Sequence, residues 1–514
     1  MSQPTPYDVV IYPGRTYRET HPDRLATSAA LYGMTPAPPA RCRVFEIGCG
    51  LGNNLIPMAY QFPDSQFLGI DLSARSIERG LSTIAALGLK NIELRHCDIM
   101  DISAAHGHFD YVIAHGIYSW VPDPVREKMM AIFKENLAPQ GVAYVSYNCY
   151  PGSHPRNLVR DMMNFHVRET TDPQERVKQA RAILNFFAET APKESAHGAM
   201  LRDQRERVRG MGDEVIFHDD LDVGSKAFLL HEVVAAAGCH RLQYLCDATM
   251  HRRALLYYPD LARMIFEKFP ESDFMVRDQY HDFVDGHGFR RTLLCHDDVR
   301  LDRKVDSSCM RRFHVASSLV PVVENFKLEE AGTAEFKLPN GSLLATDHLL
   351  SKAAIVHLER CWPAAIGFSE LVENASRMAA SVAGAPPQPS EHDVATLATV
   401  LYRAVSNGLM DLFLYPPRLA IVPSERPVAS LIARRQIEAE QPLTNLRHQT
   451  VLVKDDIARQ FLMLVDGTRN ADQLVADLSD RLAQTGLLPK DKAVTRADVE
   501  YHLKTLARLG LLIQ

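Results

Sequence analysis

The 514 residues are more than one hydrophobic core usually organises, so the chain is expected to divide into several domains. Composition is that of a globular protein, 46% hydrophobic and 23% charged, and the net charge of −6 argues against a broad nucleic-acid footprint. Nine singly spaced cysteines without a Cys-x-x-Cys pair exclude a zinc-finger pattern and point to reduced thiols in a cytoplasmic protein. The start, MSQPTPYDVV, has no signal-peptide pattern, and no apolar run is long enough to span a membrane.

From 42 to 148 apolar runs alternate with helical patterns, the signature of a parallel sheet with crossover helices. Strands are expected at Arg43–Ile47, Gln66–Ile70, Ile92–His96, Phe109–His115 and Val142–Tyr147. Helices are expected at Asn54–Gln61, Ala74–Leu87 and Val125–Leu137, the last stopped by Pro139 and Gly141. Residues 155–215 read as a charged helical insertion, after which a helix at Ala227–Ala237 and a strand at Arg241–Cys246 complete the sheet. The C-terminal part carries a weak repeat: a helix near Leu349–Arg360, another at Phe368–Asn374 and a third ending at Asn407-Gly408-Leu409 are echoed by Ile457–Val465, Ala471–Leu478 and a helix ending at Leu509-Gly510-Leu511. Each copy has the element order of a winged helix. Residues 379–391 form a loop inside the first copy, and 415–445 a linker.

Glu46-Ile47-Gly48-Cys49-Gly50-Leu51-Gly52 follows the first strand and opens a helix, where glycines let the chain turn tightly and bring its backbone close to a ligand. Gly-x-Gly alone is a weak signal, and three acids sharpen it. Glu46 stands two residues before the first glycine, a poor place to receive a pyrophosphate and a good one for a cationic ammonium and sulfonium. Asp71 ends the second strand, where a carboxylate takes ribose hydroxyls, a feature shared with NAD enzymes. Asp98 and Ile99 end the third strand, placed to hold an adenine. S-adenosylmethionine is therefore the expected cofactor, with NAD, or a bare glycine turn with surface acids, as the alternatives. No cluster has metal-ligand spacing.

The acceptor is expected over the ends of the fourth and fifth strands, at His115-Gly116-Ile117-Tyr118-Ser119-Trp120-Val121-Pro122 and Ser146-Tyr147-Asn148-Cys149-Tyr150-Pro151-Gly152. Aromatic faces there could steady a cation, which makes Tyr118, Trp120, Tyr147 and His115 the catalytic candidates. Core packing is the alternative reading for each tyrosine and for Trp120, and a structural hydrogen bond for His115.

These stretches, with Tyr7-Asp8, Tyr12-Pro13, Thr20-His21-Pro22, Asn54–Ala59, Gly69–Leu72, His218–Leu221, Gln279-Tyr280, Thr292–His296, Thr444–His448 and Asp466–Arg469, resemble bacterial methyltransferases with a methyltransferase regulatory domain, among them the rickettsial protein-lysine methyltransferases. The resemblance implies a Rossmann-like class I sheet (α/β) with a helical insertion able to mediate dimerisation, followed by mostly α regulatory and winged-helix-like domains. The expected boundaries are 1–250 for the cofactor domain with 155–215 inserted, 251–330 for the regulatory domain, and 331–425 and 426–514 for the winged-helix-like domains. By similarity Glu46, Gly48, Cys49, Gly50, Gly52, Asp71, Leu72, Asp98, Ile99 and His115 contact the cofactor, and Tyr12 and His21 close over it. The leading expectation is N-methylation of lysine side chains in a protein or peptide partner. The rivals are a small-molecule or modified-peptide N- or O-methyltransferase and a DNA-binding regulator that senses the cofactor. Neither a nucleic-acid nor a membrane partner is expected, and a homodimer is possible on the resemblance.

Overall fold

The structure is a computed structural model describing residues 6–222, 224–249, 264–266, 268–270, 273–383, 388–487 and 493–513. Arg43–Ile47 (β1), Gln66–Asp71 (β2), Ile92–His96 (β3), Phe109–Ala114 (β4), Leu137–Asn148 (β5), Leu242–Asp247 (β6) and Phe289–His296 (β7) form a seven-stranded sheet in the order β3-β2-β1-β4-β5-β7-β6. β1 to β5 pair in parallel, while β7 is antiparallel to both β5 and β6. Alternate residues of the central strands enter two cores. Val44, Tyr111, Ile113 and Tyr144 pack with Leu25 and Ala29 of helix Pro22–Leu31 and Met58 of helix Leu55–Gln61. Phe45, Val112, Ala143 and Val145 pack against Met129 and Phe133 of helix Asp123–Asn136. This two-sided covering is what a parallel sheet requires.

Local sequence explains several boundaries. Helix Ala74–Leu87 starts where the Ser73 side chain accepts the Ser76 N–H and stops at Gly88 in the left-handed region, φ 66°. Two expectations are corrected here. The chain enters β5 directly at Leu137, so Pro139 and Gly141 lie in an irregularity of the β4–β5 ladder rather than ending a helix. The cofactor domain does not end at 250, because β7, drawn from 289–296, fills the place between β5 and β6. The first part of the expected 251–330 domain, 251–263, lies outside the described residues, as do 384–387 of the loop expected at 379–391.

Between β5 and helix Leu230–Cys239, helices Ser153–His166, Pro173–Thr190, Ala196–Arg209 and Asp213–Asp219 form a unit with its own core of Val159, Met163, Ala180, Leu184 and Leu201. Beyond the sheet, strands His314–Ala316, Ile366–Gly367 and Asp411–Phe413 with helices Leu349–Cys361, Phe368–Ala383 and Glu391–Ser406 make one module. Its first strand precedes the expected boundary at 331. Helices Asp456–Leu464, Ala471–Thr485 and Arg496–Arg508 make the second, into which helix Leu431–Glu438 packs from inside the expected linker. Among the described residues no helix is long and apolar enough to cross a membrane.

β7 is held by Arg290, 1% exposed, whose Nε donates to Asp282 Oδ2 at 2.6 Å and whose Nη2 donates to the Asp278 carbonyl at 3.0 Å, with Asp247 3.4 Å away. Removing this cation takes the charged donor away from two buried carboxylates. Arg290→Met is expected to lower unfolding stability by about 3–5 kcal/mol, read as a fall in the denaturant midpoint.

Candidate functional site

Three glycines turn the chain after β1 with positive φ: Gly48 at 71°, Gly50 at 52° and Gly52 at 72°. They serve different needs. A Cβ on Gly48 would sit 2.2 Å from Ile117 Cδ1 and one on Gly52 2.9 Å from Leu94 Cδ1, whereas one on Gly50 would meet nothing within 4 Å. Gly48 and Gly52 are thus packing glycines, and Gly50 presents bare backbone to open space at the sheet's carboxyl edge. Asp71 braces this loop from β2, its Oδ2 accepting the Gly50 N–H and its Oδ1 the Ser73 N–H, both at 2.8 Å. Burial raises the Asp71 pKa against these two bonds.

Glu46, at the end of β1, is 3% exposed. Its Oε1 accepts from Asn54 Nδ2 at 2.8 Å, and its Oε2 is buried with no partner among the described residues. Burial pushes its pKa up to about 8, partly opposed by the Asn54 bond. Asn54 occupies the cap position of helix Leu55–Gln61 without capping it, because its side chain is turned to Glu46. Its Oδ1 accepts the Tyr17 N–H at 3.0 Å and lies 2.9 Å from His448 Nε2.

The N-terminal segment crosses this edge. Asp8 accepts from Ser73 Oγ at 2.7 Å, Tyr7 stacks on His218 at 4.5 Å, and the Gly14 position abuts Asn53. Tyr17 stacks on His115 at 3.6 Å between ring centroids, and His115 Nδ1 meets the Tyr144 hydroxyl at 2.9 Å. Burial and then Arg291 lower the His115 pKa to about 3, so this ring is neutral. Tyr12 donates to Asp219 Oδ2 at 3.5 Å. His21 is turned away: its Nδ1 accepts the Asp23 N–H at 3.3 Å, capping helix Pro22–Leu31, and its Nε2 faces Gln61 Oε1 at 3.3 Å. Asp98, exposed, accepts the Met100 N–H at 2.9 Å, Ile99 packs beside the core, and the Leu72 side chain is 55% exposed beyond Asp71. Cys49 is buried behind the loop.

The acceptor candidates separate. Tyr118 and Tyr147 are buried with Phe228, and Tyr147 shares a 2.8 Å hydrogen bond with Thr292, so both are core residues. Trp120 is half-buried beneath the Arg160 guanidinium, 5.1 Å from its ring. Gly116 donates its N–H to Ser146 Oγ at 2.8 Å, has φ 70°, and leaves open space where a Cβ would stand.

An orphaned buried carboxylate oxygen, a bare glycine edge and a second acid braced at the next strand suit a nucleoside carrying a cationic amino-acid arm. Glu46 would face the cation, Asp71 the ribose hydroxyls, and Asp98 with Ile99 the base. Bound S-adenosylmethionine supplies an electrophilic methyl group on a sulfonium. Fold and site together define a class I S-adenosylmethionine-dependent methyltransferase. Family comparison agrees along the chain: residues 44–141 match a methyltransferase domain, 212–296 a predicted methyltransferase regulatory domain, and 425–509 a PKMT C-terminal winged helix domain. An uncharacterized protein of Rickettsia prowazekii (strain Madrid E) is 35% identical over 62% of this chain and 57% of its own, so the match spans little more than half that relative's length. A second uncharacterized protein of that organism is 33% identical over 45% of this chain and 93% of its own. The solved structure of PKMT2 from Rickettsia typhi in complex with AdoHcy superposes with a TM-score of 0.86 at 27% identity, covering 98% of this chain and 100% of that one. The chain belongs to the family of bacterial methyltransferases that join a methyltransferase domain to a regulatory domain and a PKMT-type winged helix.

Reasoning from sequence passed over Asn54, Tyr17 and His448 as site residues. Asn54 sits where an asparagine is ordinarily read as a helix cap. Its partner His448 is 394 residues away, a pairing no local pattern announces. Two outcomes are expected by calorimetry. Asp71→Ala weakens cofactor binding by about 100-fold or more, through loss of the ribose contact and of the brace on the glycine loop, and lowers the thermal midpoint by a few degrees because the Gly50 and Ser73 N–H groups lose their acceptor. Cofactor affinity rises as pH passes upward through about 8, because only ionised Glu46 attracts the cationic arm, and Glu46→Gln flattens that rise.

Proposed function

We propose that this enzyme transfers methyl groups to lysine side chains of a protein. The observation that carries the reading is the likeness to PKMT2 along nearly the whole chain, both C-terminal modules included. A small acceptor would need little beyond the sheet and its cover. Here the modules place His448 and Leu446 against the cofactor loop, and Gln61 donates to the Leu446 carbonyl at 2.9 Å.

The chemistry of the neighbouring wall supports an amine. Asp219 is half-buried, with the Tyr12 hydroxyl at 3.5 Å and Arg156 Nη2 only at 3.7 Å. Burial raises its pKa, opposed first by Arg156. Such a carboxylate, edged by the Tyr7, Tyr12 and His218 rings, attracts a lysine ammonium to the site. A free lysine with pKa about 10.4 is neutral in about one molecule in 2,500 at pH 7. Desolvation and a nearby sulfonium both lower that pKa, so the amine can lose its proton without a strong base.

Incubation with methyl-labelled cofactor and a cell lysate is expected to place label in protein bands, recovered after hydrolysis as methylated lysine. Label confined to the low-mass fraction would overturn the reading. With a protein acceptor in hand, Asp219→Asn is expected to raise the acceptor KM by roughly tenfold, leaving cofactor Kd within about twofold.

A further inference from the structure

The C-terminal module reaches the cofactor loop through one buried hydrogen-bond chain whose polarity can be worked out atom by atom. The Tyr17 backbone N–H can only donate, so the Asn54 amide atom 3.0 Å from it is the oxygen. The other amide atom, Nδ2, then donates to Glu46 Oε1 at 2.8 Å and to Thr20 Oγ1 at 3.0 Å. His448 Nε2, 2.9 Å from the same Asn54 oxygen, must therefore carry a hydrogen. Its Nδ1 is left bare, and that atom is buried with no partner among the described residues. The ring is wholly buried, with the His21 ring 5.3 Å away, and its backbone is held at φ 56°, where residues other than glycine are uncommon. The module maintains this backbone with the hydrogen bond from His448 N–H to the Asn445 carbonyl at 3.0 Å and the Gln61–Leu446 bond.

We propose that His448 is a positioning residue for the cofactor's amino-acid arm: its Nε2–H fixes and polarises the Asn54 amide, which holds Glu46 with Oε2 turned to the cation. Each link is a buried donor on a buried acceptor, so removing the imidazole takes one donor from the Asn54 oxygen, leaves Tyr17 N–H and Thr20 to hold the amide, and weakens its grip on Glu46 Oε1. The winged-helix module thereby belongs to the cofactor site, and the strength of cofactor binding depends on how that module is seated. The assignment rests on the cofactor class, not on the identity of the methyl acceptor.

Calorimetry on the full chain with two probes tests it. S-adenosylhomocysteine carries the amino-acid arm, and 5′-methylthioadenosine has the same nucleoside without it. His448→Ala is expected to weaken S-adenosylhomocysteine by roughly tenfold and leave methylthioadenosine within about twofold. His448→Gln, whose amide supplies an N–H, is expected to recover most of the loss. Should His448→Ala not fold, His448→Asn replaces it: asparagine tolerates the left-handed backbone and is too short to reach Asn54, so the same selective loss is expected. Equal weakening of both probes would mean that His448 merely supports the fold and would overturn the proposal. Unchanged binding of S-adenosylhomocysteine would overturn it as well.

Discussion

A carboxylate buried at the end of β1 is the constraint around which this molecule is organised. A group like Glu46, 3% exposed, keeps its charge inside protein only if donors or a cation meet it. One oxygen has a donor in Asn54, and the other is buried without one among the described residues. That oxygen is left with the capacity to meet a cationic ligand. Much else follows from holding Asn54 still: Tyr17 and Thr20 reach it from the N-terminal segment, and His448 from the C-terminal module.

The segment from Tyr17 to Leu31 does this for both ends of the chain. Arg18 pairs with Asp411 at 2.5 Å, and Arg447 of the last module joins the same carboxylate. Burial works against the Asp411 charge, but Arg18, Arg447 and Arg24 together hold its carboxyl well below the usual range. Arg24 also donates to the Leu412 carbonyl at 3.0 Å, and Thr27 Oγ1 accepts the Leu414 N–H at 2.8 Å. Sheet, first module and second module therefore meet on one short stretch, and a shift of either module is felt at the cofactor loop. Exposed ion pairs contribute little to such seating. These pairs are half-buried, with the Arg447 side chain 1% exposed, and fix relative position more strongly, because breaking one strands a charge away from water.

What could be read from residues alone was what local pattern dictates. Arg43–Ile47, Ile92–His96 and Ala74–Leu87 fold over the expected residues because apolar period, cap and glycine stop agree there. The glycine loop and its acids were readable because the required chemistry is compressed into a few positions after a strand. Two kinds of information were not local. β7 joins the sheet after a long excursion, so the 250 boundary cut through one core. Likewise Tyr118 and Tyr147 looked like acceptor residues by position, while the pleat of β5 turns Tyr147 inward and the turn after β4 packs Tyr118 on Phe228, so both rings lie in the interior. One aromatic ring at that edge, Tyr17, stacks on His115 from a position between the Tyr12-Pro13 and Thr20-His21-Pro22 stretches and in neither of them.

Charge is apportioned around the site in a way the fold itself enforces. Three histidines surround the loop, and burial keeps all of them neutral: His21 is lowered to about 4, His115 to about 3, and His448 falls well below its ordinary value. Two of the nearby cations, Arg18 and Arg447, are tied to Asp411. The acids, by contrast, are left with capacity: Glu46 has a vacant oxygen, and each Asp71 oxygen spends one bond on backbone and retains a lone pair. A site that holds a sulfonium and an ammonium is weakened by a competing cation. Burying its imidazoles avoids this, since desolvation removes their protons without needing any opposing charge. The same burial lets a neutral His448 donate one N–H in a fixed direction, so a single physical cause keeps the imidazoles uncharged and orients the amide beneath Glu46.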